Sequence, residues 1–392
     1  MSSTNELLDQ FCPYGVESKE LGSVVKILDN LRKPISKDKR EPGKIPYYGA
    51  NGIQDYVKDF IFDGVYLLMG EDGSVINKDG SPVLNWATGK IWVNNHAHVL
   101  SEVKEVALLR FVFYYLQTID VTQIVRGTPP KINQQSLRNI QIPIPPIKVQ
   151  EEIVRTLDLF TELEAELEAE LEARKTQYTY YRDSLLSFEG KEVEWKTLGE
   201  IGQFIRGNGL QKKDFVESGV GCIHYGQIYT YYGTYTSSTK SFVSPELAKK
   251  LSKVDKNDLI ITNTSENIED VCKTVAWLGD NQIVTGGHAT IYKHGQNPKY
   301  LAYYTQTSMF SLMKRKFAQG AKVIDVSAKN LAKIMIPLPT LNEQERIVSI
   351  LDKFEALVND ISIGLPAELE ARRKQYDYYR NKLLTFKEFG NG

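Results

Sequence analysis

The sequence predicts an α+β protein in which two β-rich modules lie in tandem, each followed by a long α-helix. Three observations lead to this prediction. A segment of the chain is repeated once, both copies have the apolar spacing of a helix, and the stretches before them are rich in Tyr, Ile, Val and Gly with frequent turn signals. With 392 residues, 42% of them apolar and 25% charged, the chain is long enough for two or three domains that each bury a core.

The repeated segment covers residues 142–188. Its Ile-Pro-x-Pro, Gln-Glu, Ile-Val, Leu-Asp and Phe positions return in residues 336–354 at a constant offset of 194. Further on, residues 172–182 match residues 370–380 at an offset of 198. A repeat that occurs only twice indicates a tandem pair, because a solenoid needs three or more stacked units.

Both copies are predicted to be helices, over residues 146–192 and 341–392. Apolar and aromatic residues recur at intervals of three and four, and the prolines before each copy end a strand and are tolerated in a first helical turn. These residues form a seam that is expected to face the other helix, the modules or a partner protein. In the first helix they are Leu157, Phe160, Leu163, Leu167, Leu171, Tyr178, Tyr181 and Leu185, and in the second Leu351, Phe354, Leu369, Tyr376, Tyr379 and Leu383.

The two helices differ in their middles. Between residues 163 and 174 the first repeats Leu-Glu-Ala-Glu, whose period of four exceeds the 3.5 of a coiled coil, so the leucine seam drifts around the helix. Its glutamates are interpreted as a solvated acidic face. In the second helix Gly364 and Pro366 predict a kink or break. Asn342 followed by Glu345 predicts a capping box at its start.

The modules are predicted at residues 1–145 and 193–340, and they resemble each other weakly. Asn95-His96-Ala97, for example, occupies the place of Gly287-His288-Ala289. Residues 20–145 carry 15 basic and 13 acidic side chains and residues 193–340 carry 18 and 12, whereas residues 146–192 carry 6 and 12. The modules are therefore mildly basic. This charge balance excludes a protein that coats nucleic acid uniformly. It is compatible with a protein that recognises nucleic acid through basic side chains on one face.

The motifs of common enzymes are missing. The chain has no P-loop, no glycine-rich dinucleotide or S-adenosylmethionine loop and no Asn/Asp-Pro-Pro-aromatic tetrapeptide. His96 and His98 would share one face of a strand, and packing or hydrogen bonding is preferred to a metal site there. The sequence therefore predicts no catalytic residue, no metal and no cofactor. Separated cysteines and the lack of a long apolar run predict a soluble, cytoplasmic protein without a membrane partner.

A duplicated module and helix, with Ile-Pro-x-Pro before each helix and Gln-Tyr-x-Tyr-Tyr-Arg near its end, resembles the specificity subunit of type I restriction-modification systems. The Leu-Glu-Ala-Glu run and the break at Gly364 are also similar to that family. The resemblance implies that each module is a target-recognition domain for one half of a bipartite, asymmetric double-stranded DNA sequence. It implies that the two helices pack as an antiparallel coiled coil, hold the modules apart and dock two methyltransferase subunits.

The resemblance also implies where the chemistry resides. S-adenosylmethionine would be bound by the methyltransferase subunits, which methylate adenine. ATP and Mg would be used by a restriction and translocation subunit that joins through the complex of methyltransferase and specificity subunits. The chain itself would catalyse nothing.

DNA readers need Arg, Lys, Asn and Gln for base edges and phosphates, and aromatic side chains for stacking. Surface loops carry such residues in any case, and tyrosines often pack, so each single assignment stays open. The candidates in the first module are Lys44, Tyr47, Tyr48, Asn51, Gln54, Arg126, Thr128 and Lys131. Those in the second are Arg206, Asn208, Lys212, Lys213, Tyr225, Gln227, Tyr229, Lys314, Arg315, Lys316, Gln319 and Lys322.

The first helix is long enough to act as a spacer. At 1.5 Å per residue, residues 150–188 would span roughly 58 Å, against about 34–36 Å for one DNA turn. Two other classes of function remain: a self-contained DNA methyltransferase or nuclease, and a coiled-coil scaffold that binds only proteins. The missing motifs disfavour the first, and DNA binding by the chain would exclude the second.

Overall fold

The chain forms two compact units. The computed structural model describes residues 10–103, 105–320, 322–360 and 363–390. Unit 1 comprises Met1–Glu166 with Leu369–Gly392, and unit 2 comprises Leu167–Glu368. The domain bounds predicted from the sequence stay predictions, and the outermost residues of the first and last predicted domains lie outside the described part of the chain. Among the described residues, no helix combines the length and apolar composition needed to cross a membrane.

A six-stranded sheet forms the centre of unit 1. The strands of this unit are β1 (Ser18–Glu20), β2 (Val25–Ile27), β3 (Pro42–Gly49), β4 (Gly52–Val57), β5 (Phe62–Gly70), β6 (Leu84–Val93), β7 (Ala97–Glu102) and β8 (Gln141–Pro143). The sheet order is β2-β7-β5-β6-β3-β4, with β3 and β6 parallel and the other pairs antiparallel. Gly52, at a φ of +91°, follows the two-residue turn between β3 and β4, where Asn51-Gly52 predicted one.

The helices of unit 1 cover one face of this sheet. They are α1 (Leu21–Val24), α2 (Leu109–Leu116), α3 (Gln134–Arg138) and the first half of α4 (Ile147–Leu185). β1 pairs with β8 in a separate antiparallel ladder. A core of fully buried side chains joins sheet and helices, with Leu67 from β5, Leu100 from β7, Phe111 from α2 and Ile153 and Leu157 from α4. The start of the long helix is therefore part of the module's own core.

Unit 2 has a five-stranded sheet, a four-stranded sheet and two short ladders. Its strands are β9 (Glu194–Thr197), β10 (Gly202–Arg206), β11 (Val220–Ile223), β12 (Tyr235–Thr236), β13 (Ser241–Val243), β14 (Ser252–Val254), β15 (Leu259–Thr262), β16 (Thr264–Ser265), β17 (Thr274–Trp277), β18 (Ile283–Thr285), β19 (Ala289–His294), β20 (Ile324–Asp325) and β21 (Met335–Leu338). The sheet orders are β10-β19-β15-β17-β12 and β13-β11-β18-β14, and the ladders pair β16 with β20 and β21 with β9.

The helices of unit 2 are mostly short and capped by their own side chains. They are α5 (Leu198–Ile201), α6 (Tyr225–Thr230), α7 (Pro245–Ala248), α8 (Pro298–Tyr304), α9 (Ser308–Arg315), α10 (Ala328–Leu331) and α11 (Leu341–Asn359). The last helix, α12 (Leu365–Leu384), begins in unit 2 and belongs to unit 1 from Leu369 onwards. At the start of α8, the Asn297 side chain accepts bonds from two backbone N–H groups of the first turn.

The two units share one framework. In unit 1 Leu67 of β5 pairs with Leu100 of β7, and in unit 2 Leu259 of β15 pairs with Tyr292 of β19, so both partners are shifted by 192 residues. The order β2-β7-β5-β6 thus recurs as β10-β19-β15-β17. The weak sequence similarity between the modules therefore corresponds to the same strand order in their separate sheets.

The second copy of the helix is broken where the sequence predicted. α11 ends at Asn359 and α12 begins at Leu365, with Pro366 in its first turn. Gly364 packs against the end of α11, and a Cβ atom there would lie 2.7 Å from the carbonyl oxygen of Leu357. A side chain at this position would therefore clash with the last turn of α11. Residues 361 and 362 of the predicted break lie outside the described residues.

The predicted capping box at Asn342 is wrong. The N-cap of α11 is Thr340, whose hydroxyl accepts a bond from the backbone N–H of Glu343 at 3.3 Å. Thr340 is extended, with a φ of −56° and a ψ of 153°, directly after the proline-rich strand end. The N-cap therefore lies two residues before the predicted one, and Asn342 lies inside the first turn of the helix.

Within each unit, half of α4 packs antiparallel to a helix of the second copy. In unit 1 the Phe160 ring stacks on that of Tyr379 at 5.4 Å, and one turn further along α4 Glu164 pairs with Arg373 at 2.6 Å. In unit 2 the Tyr181 ring stacks on that of Phe354 at 5.3 Å. Residue numbers rise on one helix as they fall on the other. The predicted α+β fold, with two tandem modules and two antiparallel long helices, is confirmed.

The leucine seam of α4 leaves the helix interface in the middle of the helix. Leu157 is fully buried and Leu171 is 9% exposed, but Leu163 between them is 38% exposed. A four-residue period advances about 40° past each full turn, so the leucines of the run do not stay on one face of the helix. The acidic run is thus solvated, as the sequence indicated.

We expect Leu157→Ala to destabilise unit 1 by about 2–5 kcal/mol, since it removes a fully buried side chain and leaves a cavity. Leu163→Ala in the same helix is the matched control and should change stability by less than about 0.5 kcal/mol. Thermal unfolding of both variants measures the difference. Equal melting temperatures would contradict the assignment of Leu157 to the core.

Candidate nucleic-acid interface

Each long helix is tied to its module by one buried glutamine. The Gln150 side chain accepts a bond from the backbone N–H of Leu108, the N-cap of α2, at 2.9 Å and donates to the carbonyl of Pro145 at 2.8 Å. Gln344 repeats both bonds at 3.0 Å, with the N-cap of α8 and the carbonyl of Pro339. Both side chains are fully buried. The repeated Gln-Glu pair is thus explained by a side chain that joins three elements.

An aspartate two turns later forms a second anchor. Asp158 accepts bonds from the Arg110 guanidinium at 2.7 Å and from the Tyr114 hydroxyl, both on α2. Burial and the neighbouring carboxylate raise the pKa of Tyr114, so its hydroxyl stays a donor. Asp352 is the counterpart of Asp158 in unit 2. Its two donors come from α8 and are Lys299 at 2.7 Å and Tyr303 at 2.8 Å.

The tyrosine-rich ends of the repeat divide into packed and exposed residues. Tyr178 is buried and donates to Glu355 at 2.7 Å, and Tyr376 and Tyr379 pack near Phe160. Tyr180 and Tyr378, which occupy matching positions, are 68% and 60% exposed. The remaining seam residues are at least half-buried. Three are half-buried, namely Leu167, Leu185 and Phe354, and three are buried, namely Leu351, Leu369 and Leu383.

The β3–β4 hairpin carries the first group of candidate DNA contacts. Lys44, Asn51 and Gln54 are exposed on it. Tyr47 and Tyr48 are buried, at 1% and 9% exposure, and support the hairpin from inside. The Tyr47 hydroxyl accepts a bond from the backbone N–H of Ile35 at 3.0 Å.

Sequence reasoning missed one aromatic side chain on this hairpin. Tyr56 is 52% exposed on β4, two residues after Gln54. Residues two apart on a strand share a face, so the alternation of β4 was a usable signal. Gln54 and Tyr56 together offer an amide and a ring on an edge strand.

The second group of candidates in unit 1 lies on a tight loop. The backbone N–H of Arg126 bonds to the Lys131 carbonyl at 2.9 Å, and the reverse bond is 2.7 Å long. Arg126, Thr128 and Lys131 are all exposed at this loop. Their side chains present positive charge and a hydroxyl on a closed, hydrogen-bonded backbone.

A buried ionic cluster lies beneath this loop, formed by Asp29, Arg32, Glu71 and His98. His98 Nδ1 lies 2.6 Å from the Asp29 carboxylate, and Arg32 pairs with Glu71 at 2.5 Å. Burial opposes ionisation of Asp29, but its bonds from His98, the Val99 N–H and other donors hold the pKa of Asp29 below its usual value. Apart from the histidine, no sequence pattern indicated this cluster.

The cluster contains metal-ligand types but does not fit a metal ion. Asp29, Glu71 and His98 place ligand atoms within 4.8 Å of one another. Arg32 at 2.5 Å and Lys131 at 3.1 Å from Glu71 already supply the positive charge that a cation would bring. His96 does not share a strand face with His98: it lies in the turn before β7 and pairs with Asp72 instead.

In unit 2 two of the candidates, Lys212 and Tyr225, meet at a cleft. It is lined by the loop around Lys212, by Tyr225 and by two histidines that sequence reasoning did not count as contacts, His224 and His288. The Tyr225 ring lies 4.5 Å from that of His224 and 4.7 Å from that of His288. His224 Nδ1 accepts a bond from the Gly226 N–H, and burial, Lys212 and His288 lower the pKa of His224. His224 thus stays neutral, with its proton on Nε2.

Other candidates of unit 2 serve the framework. The Asn208 amide bonds to the Lys250 carbonyl and the Ser252 N–H, Gln227 bonds to His224 and Ser241, and the Tyr229 hydroxyl donates to Thr264. Lys314 is 4% exposed and donates to two backbone carbonyls of residues 269–271 at 2.7 Å, and burial lowers its pKa. These side chains are committed to internal bonds.

The remaining candidates of unit 2 are exposed. Arg206 is the last residue of β10, Lys213 lies beside Lys212, and Arg315 pairs with Glu269 at 2.9 Å. Three more lie at or before the loop that ends in β20: Lys316, Gln319 and Lys322. The structure thus gives each unit an exposed, basic loop surface. Contacts to DNA themselves stay predictions.

These features define the class of the protein. The protein consists of two like modules, and the same anchors fix each of them to a long helix. Each module has a different polar surface, as expected of a duplicated recognition protein. A family model described as "Type I restriction modification DNA specificity domain" matches residues 13–173 and 190–371. The chain belongs to this family. It is a specificity subunit, the DNA-recognition component and not a catalytic one.

Relatives and solved structures agree with this assignment. The chain is 36% identical to a putative type I restriction enzyme specificity subunit of Haemophilus influenzae, over 95% of this chain and 96% of the relative. It is 37% identical to the EcoR124I/EcoR124II specificity subunit of Escherichia coli, over 71% of each. The crystal structure of a type I S subunit from M. genitalium has the same fold, with a TM-score of 0.56 at 17% identity, over 94% of this chain and 96% of that one. A chain from a study of type I complex assembly and conformational transition gives 0.58 at 16%, over 94% and 97%.

The ionic cluster should make the stability of unit 1 depend on acid. Because the pKa of Asp29 is lowered by folding, its contribution is complete above the unfolded pKa of about 3.9 and is lost as pH falls through the lower folded value. We expect Asp29→Asn to cost roughly 3–5 kcal/mol at neutral pH and progressively less below about pH 4. Melting temperatures across this range measure the effect.

The exposed Asp63 of β5 provides the control. Asp63→Asn should leave the melting temperature of unit 1 unchanged at neutral pH. A difference between wild type and Asp29→Asn that stays constant down to pH 2 would refute the role of the ionised carboxylate.

Proposed function

We propose that each module recognises one half of a bipartite, asymmetric double-stranded DNA target. The observation that carries this proposal is the combination of shared attachment and different surfaces. Gln150 and Gln344 make the same bonds, as do Asp158 and Asp352. The exposed polar residues differ between the units, and different surfaces on a common framework suit two different base sequences.

The contacts to DNA are assigned to the exposed loops. In unit 1 these are the β3–β4 hairpin, with Lys44, Gln54 and Tyr56, and the loop with Arg126 and Lys131. In unit 2 they are the cleft beside Lys212 and the loops with Lys316 and Lys322. Buried candidates such as Tyr47 and Lys314 hold these loops in place. Arg and Lys on exposed loops supply phosphate contacts, and amides supply contacts to base edges.

The helices are assigned two further tasks: to set the distance between the half-sites and to dock two methyltransferase subunits. α4 has 39 residues, which corresponds to about 58 Å of helix. Tyr180 and Tyr378 are exposed at matching positions, so the repeat offers the same aromatic group twice. S-adenosylmethionine, ATP and Mg are assigned to the methyltransferase and restriction subunits, and the restriction subunits would join through the complex with the methyltransferase.

We expect Arg126→Ala and Lys212→Ala to affect different halves of one target. Each variant would be assembled with its methyltransferase subunits, and the methylated motif read by methylome sequencing. A lost base contact should cost about 1–3 kcal/mol and relax one half-site, whereas a lost phosphate contact should weaken all sites alike and reduce the salt slope by about 1.

Lys175→Ala is the matched control, because this lysine is exposed on α4 and pairs with Glu172 of the same helix. It should leave the motif unchanged. If Arg126→Ala and Lys212→Ala both altered the same half-site, the proposal that each module recognises its own half-site would be refuted.

Deletion of residues 164–167, one Leu-Glu-Ala-Glu repeat, should shorten the spacer between the half-sites. Four residues correspond to about 6 Å, or roughly two base pairs, and nearly one full turn, so both flanking helix faces are approximately kept. The base preferences of the half-sites should stay unchanged. Methylome sequencing tests this, with the length-preserving Glu166→Ala as control. An unchanged spacer in the deletion variant would refute the proposal that α4 sets the distance between the half-sites.

A further inference from the structure

The ionic cluster holds the loop of residues 126–131 at the end where the chain leaves it. The Glu71 carboxylate pairs with Lys131 at 3.1 Å, and the Glu71 carbonyl accepts the Ile132 N–H at 2.8 Å. His98 Nε2 donates to the Ile132 carbonyl at 2.9 Å. Gln134, two residues on, donates to Asp29 at 3.0 Å. The backbone that leaves the loop is thus bonded to the ionic cluster at each step.

The side chains of the cluster bond to one another and to nearby backbone carbonyls. Arg32 is bonded to Glu71, to the Ala97 carbonyl at 2.7 Å and to the Asp29 carbonyl at 2.9 Å. His98 is fully buried and Asp29 is 9% exposed. Removing one member of such a group leaves an uncompensated buried charge, which costs far more than a surface pair. The position of the loop is therefore sensitive to every member.

We propose that Asp29, Arg32, Glu71 and His98 are positioning residues for DNA recognition. They hold the loop of residues 126–131 in the conformation in which Arg126 and Lys131 contact one half-site. This inference rests on the proposed function, since it assumes that the loop faces DNA. It adds that the accuracy of one half-site is determined by buried residues that do not touch DNA.

In unit 2 neutral side chains hold the backbone that leaves the corresponding loop, which separates positioning from folding. Gln319 and Asp325 exchange backbone bonds of 3.0 and 2.8 Å, as Arg126 and Lys131 do. Asn263 stands at the place of Glu71 and Thr290 at that of His98, both shifted by 192 residues. The Thr290 hydroxyl donates to Asn263 at 2.7 Å, and the Asn263 amide donates to the Val326 carbonyl at 3.1 Å.

A neutral amide and hydroxyl thus support the same backbone in unit 2. The loop architecture does not require charge, so the ions of unit 1 have a role of their own. Because Lys131 belongs both to the loop and to the ion network, the cluster fixes the direction of a charged side chain on the loop. This direction is what a reader of base edges and phosphates needs.

The test uses the full chain assembled with its methyltransferase subunits. We expect Glu71→Gln to lower methylation of the cognate target at least about 10-fold and to relax base preference in one half-site while the other half-site keeps its preference. Hydrogen exchange of the backbone N–H groups of residues 126–134 should rise, while that of β5 and β7 stays slow. Glu41→Gln, which removes an exposed ion pair with Lys58 in the same unit, should change neither.

The outcomes separate the inference from the proposed function. A wild-type motif that is not bipartite would refute the proposed function. A bipartite wild-type motif that Glu71→Gln leaves unchanged would refute the positioning role but not the proposed function. The positioning role would also be refuted if Glu71→Gln relaxed both half-sites equally and hydrogen exchange became fast throughout unit 1. If Glu71→Gln does not fold, Gln134→Ala gives the same decision, because it removes the bond to Asp29 from the exposed end of the network.

Discussion

The architecture depends on a buried glutamine at the start of each long helix. A strand end rich in proline leaves backbone carbonyls without local partners, and the first turn of a neighbouring helix leaves unsatisfied N–H groups. Gln150 satisfies one of each, and Gln344 does the same in unit 2. A buried polar group left unpaired costs about 1–3 kcal/mol, so one amide secures strand, module helix and long helix together. The Asp158 and Asp352 anchors add a second point on the same pair of helices, which fixes the angle between them within each unit.

Much of this framework could be predicted from the sequence, because its determinants are local or repeated. The apolar spacing gave the helices, Gly364 and Pro366 gave the break, and Asn51-Gly52 gave a hairpin turn. The surface residues were harder. Tyr47 lies inside the sheet because β3 pairs with β6, more than 40 residues away, and Lys314 is buried because carbonyls of residues 269 and 271 receive its ammonium group. Such burial depends on long-range pairing, which residue type and loop position do not reveal.

The N-cap of α11 shows a different limit. Thr340 and Asn342 both have the chemistry of an N-cap, and the choice between them depends on where the preceding strand ends. Local sequence alone could not decide it. The ionic cluster is a third case: His98 and Asp29 are 69 residues apart and meet only because β2 and β7 are neighbours in the sheet. Spacing within the sequence predicts helices well and the composition of buried polar networks poorly.

The two units show which parts of such a protein are free to vary. The anchors repeat with the same chemistry, even where arginine is replaced by lysine beside the aspartate, because a cation and a tyrosine hydroxyl satisfy a carboxylate in either form. Beneath the loops, charge is replaced by an amide and a hydroxyl, and the backbone stays the same. The positions that hold the long helices therefore keep their chemistry, whereas the positions beneath the loops keep a bond to the backbone of residue 132 or 326 and change their chemistry. A duplicated protein can thus alter what each module recognises and retain how each module is held.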